Sequence, residues 1–254
     1  MTRTKKALIG LTTLTGLIGG ALLLLGSAPP IGQPGPDADA LARKLETAVN
    51  AEAWTRTGAV QWTFAGKRHH LWDRSRSYAE VKVGDGRALL DLTHRRGLAW
   101  AAGTPLTGEA AQKALDDAHG AWVNDAFWLN PVVKVFDGGV ERSLVTEEGR
   151  TGLLVRYTSG GRTPGDAYLW WPGPDGTPEK WQMWTSNIPI GGLSATWEGW
   201  ITLATGARVS TKHVMPAMTL ELTDVKGAAT LAELVPGEDV FGVLVKCEGC
   251  VALP

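Results

Sequence analysis

Beyond residue 36 the chain opens on a helical spacing. Leu41, Leu45 and Val49 recur at i, i+4 and i+8, while Arg43, Lys44 and Glu46 fall elsewhere on the wheel. This predicts an amphipathic helix with one apolar stripe, started by Asp37 as N-cap. The period then changes to two. Val60, Trp62 and Phe64 alternate with Gln61 and Thr63, and Ala79, Val81 and Val83 with Glu80 and Lys82. Ala88, Leu90 and Leu92 form a third set. Leu153, Val155 and Tyr157 form a fourth, opposite Arg156, and Met218, Leu220 and Leu222 a fifth. Each set predicts a half-buried antiparallel strand. Turn signals separate them: Gly84-Asp85-Gly86, Gly160-Gly161, Pro172 to Gly176 and Gly191-Gly192. About ten strands at hairpin spacing follow from this reading.

One helical insert interrupts the meander. Gly108 to His119 is helical by propensity, and AWVNDAFWLNPVVKVFDGG then predicts a short helix or loop leading into a strand near Val132 to Phe136. The order helix, strands, insert, strands predicts a mainly β, α+β domain: a curved antiparallel sheet with helices on one side and a concave face.

Tryptophan is in excess, with 12 Trp against 4 Phe and 3 Tyr. Strand parity places Trp197 on one face with Gly199, Ile201 and Leu203, and Trp200 on the other with Glu198. Trp184 shares its parity with Gln182, and Trp72 with His70 and Arg74. Tryptophan on polar parities implies that part of the second face is covered. Either connections pack over it, with Trp122 and Trp128 of the insert, or a cleft there holds an apolar ligand. The second reading gives candidate ligand-binding residues Trp72, Trp128, Trp184 and Trp200, with Arg74, Arg156, Asn187 and Asn130 as polar groups at the mouth. Asn187 to Gly192 is then a hairpin turn at the rim.

The N-terminus is a different kind of sequence. MTRTKK is basic, and Ala7 to Ala28 carries no charge. A basic start before an apolar run is an export signal. The run approaches the roughly 18–20 residues that span a bilayer. Gly26 and Ala28 offer a peptidase site, but Pro29 and Pro30 make it a poor one. Residues 1–28 are therefore expected to be a signal peptide or a membrane anchor. Residues 29–36 (PPIGQPGP) are expected to be a linker, 37–246 the β domain, and 247–254 a tail carrying Cys247 and Cys250. The domain would be periplasmic or outward-facing.

Composition removes several classes of function. The chain is 44% hydrophobic and 20% charged, enough for a real core. Lys plus Arg number 25 against 26 Asp plus Glu. Arg3, Lys5 and Lys6 lie in the leader, which leaves 22 basic residues for the rest. No basic excess exists to neutralise phosphates, so nucleic acid is not an expected partner. No G-x-S-x-G, GxGxxG or P-loop occurs. His69 and His70 are adjacent and point to opposite strand faces. Asp116 and His119 stand at i, i+3 without a third ligand, so no metal or other cofactor is expected. Cys247 and Cys250 are a disulfide candidate: the four residues after them give no helix to support redox chemistry. The enzyme alternative is a Trp-lined carbohydrate hydrolase using carboxylates such as Glu198 and Asp125.

The chain also resembles the LolA/LolB-like superfamily. The likeness lies in an exported chain whose pattern over Asp37 to Val245 is opening helix, long meander, mid-chain insert and Trp-rich strands. The segments 125–139 and 184–200 resemble exported relatives of that superfamily. The resemblance implies a half-open β-barrel closed by the N-terminal helix and the insert, with a concave face that holds lipid acyl chains. No carrier residue maps onto a numbered position here. The expected function is thus a non-catalytic cell-envelope module that binds a lipid or other hydrophobic ligand. The alternatives are the hydrolase and a structural or partner-binding domain.

Overall fold

The computed structural model describes residues 27–159, 163–187, 191–237 and 239–253. Most of the leader, residues 1–26, lies outside the described residues, as do Ile188 to Ile190 of the expected rim turn. No helix of the described residues is long and apolar enough to cross a membrane.

The fold is mainly antiparallel sheet with several helices, and its large curved sheet does not close into a barrel. Helix α1 (Pro36–Ala48) starts one residue before the expected cap. Gly35 is the N-cap and Pro36 occupies the first turn, where its missing N–H costs nothing; Asp37 and Asp39 complete that turn. After it come the short helix α2 (Ala51–Thr55) and the meander β1 (Ala59–Phe64), β2 (Arg68–Asp73), β3 (Tyr78–Val83), β4 (Gly86–Asp91) and β5 (Arg96–Ala101). The return strand β15 (Thr219–Ala228) pairs with β1, β14 (Lys212–Val214) extends it, and β16 (Val251–Ala252) pairs with β5. The two-residue β6 (Thr104–Pro105) completes nine strands.

A second sheet holds β7 (Val140–Glu147), β8 (Arg150–Tyr157), β9 (Ala167–Pro172), β10 (Pro178–Trp184) and β11 (Leu193–Thr196), in the order 11-10-9-8-7. A small ribbon joins β12 (Ile201–Thr202) and β13 (Arg208–Val209). The meander therefore divides into two main sheets whose edges meet at β11 and β14. There Thr196 accepts from His213 Nδ1 on its carbonyl at 2.9 Å and from the Val214 N–H on its hydroxyl at 3.0 Å.

The insert is one helix, α3 (Gly108–Leu129), twice the expected length. Ala111, Leu115, Ala118, Ala126 and Leu129 are buried along it at helical spacing, so apolar periodicity carries the helix to Asn130-Pro131, where proline ends it. The strand expected near Val132 to Phe136 is instead a 3-10 turn, Pro131–Lys134, with Val132 and Val135 buried as core. The first half of α3 packs on β3 to β5, and the second half reaches the core of the second sheet. That core gathers Leu153, Val155, Trp170, Trp181 and Met183 under α1.

Two segments differ from the expected boundaries. Residues 27–35 lie across the second sheet instead of standing free. The Ser27 N–H donates to Gly191, Trp184 Nε1 donates to the Ser27 carbonyl at 2.8 Å, and Gln33 exchanges two 2.8 Å bonds with Leu144 on β7. The tail is also part of the domain. Helices α4 (Leu231–Leu234) and α5 (Gly242–Val245) cover the outer face of the first sheet through Phe241 and Leu244, and Cys247 and Cys250 form a disulfide with Cα atoms 5.5 Å apart.

Candidate functional site

The residues singled out from the sequence do not converge on one cleft. Trp72 lies on the inner face of β2 between Trp54 (6.5 Å) and Trp122 (5.3 Å), so its parity is the buried one. Arg74 stacks on Trp54 and Trp72 and donates to the carbonyls of Trp54 and Thr57 at the end of α2; burial lowers its pKa. It closes a helix end. Trp184 lies on the outer face of the second sheet with Leu154, Leu169 and Trp171. Arg156 shares that face of β8, opposite Glu141. Asn187 is exposed in the turn after β10.

Trp128 and Trp200 are brought together. They line a narrow cleft with Trp197, Asn130, Ser210 and His213, whose volume is about 10 Å³. Trp197 and Trp200 meet edge to face at 6.2 Å, which strict alternation forbids. The backbone explains it. The strand breaks after Thr196, and Gly199 takes φ +62°, so both rings swing to one side. Trp128 packs on Trp181 at 4.8 Å and on His213 at 5.1 Å. Of the lining residues only Trp128 and Trp200 keep partial exposure, so they form the mouth.

The cleft's polar atoms are notable for what they do not meet. Asn130 Nδ2, Trp197 Nε1 and His213 Nε2 are buried without a hydrogen-bond partner among the described residues. His213 is fully buried, and its desolvation pushes the pKa down to about 4. Its Nδ1 faces a carbonyl and must carry the proton. Nε2 of the neutral ring is therefore an acceptor. Ser210 differs: its hydroxyl donates to the Glu198 carbonyl at 2.7 Å. A buried polar group without a partner costs roughly 1–3 kcal/mol, so these atoms call for a water or a ligand group to bond.

A second constellation, absent from the sequence reading, pins the insert. Asp125 is fully buried on α3. Its carboxylate takes two 2.6 Å bonds from Arg68 and one of 2.7 Å from His70 Nε2, and Asn124 adds a fourth. Trp62 stacks on His70 at 4.5 Å. Burial by itself would raise the Asp125 carboxyl, but the bonds from Arg68, His70 and Asn124 outweigh it and hold the pKa below the usual range. The signal was Arg68-x-His70-x-Trp72, which puts polar residues on an apolar parity. Glu198, the other carboxylate of the hydrolase alternative, is 44% exposed and paired with Lys212 at 3.3 Å. Neither carboxylate lines the Trp128–Trp200 cleft. On the outer face, Thr63 links His69 and Asp224 beside a wider groove of about 370 Å³. Among the described residues no group of three ligand-type side chains could hold a metal.

No family model matches the chain, and no curated protein matches it. Among solved structures, it is similar to a DUF1329 family protein from Desulfovibrio piger, at 9% identity and a TM-score of 0.41. The match covers 79% of this chain and 96% of that one. A likeness at that level carries no argument about activity.

Proposed function

We propose that the protein is a non-catalytic binding module of the cell envelope, LolA/LolB-like in architecture, that takes an apolar ligand at the Trp128–Trp200 cleft. One observation carries the reading: beside the Trp128 and Trp200 walls, three lining residues, Asn130, Trp197 and His213, each hold a buried polar atom that meets no hydrogen-bond partner among the described residues. Mostly apolar walls with a few oriented polar groups are the usual make-up of a ligand site. At about 10 Å³ the cleft has no room for a hydrocarbon chain, so loading requires its two half-buried walls, Trp128 and Trp200, to turn outward. In this reading residues 1–28 export the domain or hold it at the membrane. The hydrolase alternative has less support, because Asp125 is saturated by Arg68, His70 and Asn124.

The test is native mass spectrometry of the full chain released from detergent micelles. The expected result is a co-purifying lipid whose occupancy falls when Trp128 or Trp200 is replaced by alanine. A clean apo mass for the wild type, after isolation from membranes with lipid present, would refute the reading. That result would favour a second one, a partner-docking domain without internal ligand, for which the tight interior of fully buried Trp62, Trp170 and Trp181 already speaks.

A further inference from the structure

The chemistry of the cleft specifies more than an apolar guest. None of its nine lining residues is Asp, Glu, Lys or Arg. Arg208 stacks on the Trp200 ring at 5.3 Å and spends Nη1 on the Ala48 carbonyl and Thr177, and Lys212 is paired with Glu198. A phosphate or carboxylate buried here would meet no counter-charge, and burying an unpaired charge is prohibitive. The atoms that lack partners are one acceptor, His213 Nε2, and two donors, Asn130 Nδ2 and Trp197 Nε1. A hydroxyl answers both kinds as a water would, with an O–H to give and two lone pairs to fill, and it can be carried by a ligand. The volume agrees: about 10 Å³ is room for one oxygen-centred group and not for a headgroup.

Resting on the binding function proposed above, we infer that the ligand is a neutral lipid whose free hydroxyl seats against His213 Nε2, Asn130 and Trp197, while its hydrocarbon leaves between Trp128 and Trp200. Two features hold the acceptor in place. The Thr196 carbonyl fixes the tautomer of His213. The Trp128 and Trp181 rings, at 5.1 and 5.8 Å, fix its orientation. Anionic lipids and free fatty acid anions are excluded by desolvation, and an ether or ester oxygen satisfies the donors but leaves Nε2 bare.

The experiment uses the full chain in a non-ionic detergent and long-chain probes bearing a terminal bromine, which quenches tryptophan fluorescence. Three probes share one chain and differ at the head: alcohol, methyl ether and carboxylate. The expected order is alcohol first, by roughly tenfold or more over the ether, since one buried acceptor left bare is worth about that factor. The carboxylate should be weakest. His213→Phe should bring the alcohol and ether to equal affinity, and His213→Gln, which keeps an acceptor, should restore part of the gap. The wild-type series decides even if His213→Phe does not fold. Equal affinities for all three heads, or a carboxylate preference, would overturn the hydroxyl inference and leave apolar binding standing. Quenching by none of the probes would overturn both.

Discussion

Removing the Asp125 carboxylate tests whether the insert is held by charge. In Asp125→Ala, His70 loses its one hydrogen-bond partner among the described residues in an environment with no exposure, while Arg68, 31% exposed, can turn partly to water. Breaking a buried ion pair by deleting one partner costs roughly 3–5 kcal/mol, and the freedom of Arg68 places this case at about 3–4 kcal/mol. With a urea m-value of about 2 kcal/mol/M, the unfolding midpoint should fall by about 1.5–2 M. The pH dependence has a fixed sign. The folded pKa of Asp125 is depressed, so its stabilisation is complete above the unfolded value of about 3.9 and is lost as pH falls through the folded value. The gap between wild type and Asp125→Ala should thus be level from neutral pH to about 5 and shrink in stronger acid. Replacing the whole cluster, Arg68→Met with His70→Leu and Asp125→Leu, should recover most of the loss, because no stranded polar group remains. A gap under about 1 kcal/mol at neutral pH, or one that widens on acidification, would refute the argument.

Two further substitutions probe the backbone. Gly199→Ala places a side chain at φ +62° with its Cβ 2.6 Å from the Thr211 hydroxyl. It should cost about 1–2 kcal/mol in urea unfolding and weaken the Trp197–Trp200 signal in near-ultraviolet circular dichroism; a neutral result would show that the bend does not depend on glycine. Gly32→Val drives a branched side chain into Ser143, whose Oγ and Cβ already fill the space of the new Cβ. Limited proteolysis within 27–35 should then accelerate by roughly tenfold or more, as expected for a strap that opens locally. Unchanged cleavage would mean that this strap does not depend on the Ser143 contact.

What could be read from the residues follows from how local the causes are. The strands β1, β3, β4 and β8 form where their alternations put them, although much of their second face is buried as well. Helix α1 likewise follows from its stripe. The second half of the insert, with Asn124 and Asp125 among aromatics, looks irregular in sequence because Arg68 and His70 come to it from a strand far away in the chain. The cleft was half legible. Trp128, Trp200 and Asn130 stood out by type, but His213 did not, because a single histidine between Lys212 and Val214 carries no local sign of its partner Thr196. Parity misplaced Trp200 because Gly199 breaks the very strand geometry on which parity depends. The division into two sheets was also invisible, since identical hairpin signals serve one sheet or two.

The meeting of the two sheets at Thr196 and His213 has a mechanical consequence. The imidazole that clasps the sheets together through Nδ1 is the same ring that offers Nε2 to the cleft. In the proposed binding function, a ligand held on that nitrogen would therefore bear on the β11–β14 contact between the two sheets. By reciprocity, whatever affinity that proposed site has would change by the same factor by which the ligand stiffens or loosens this contact.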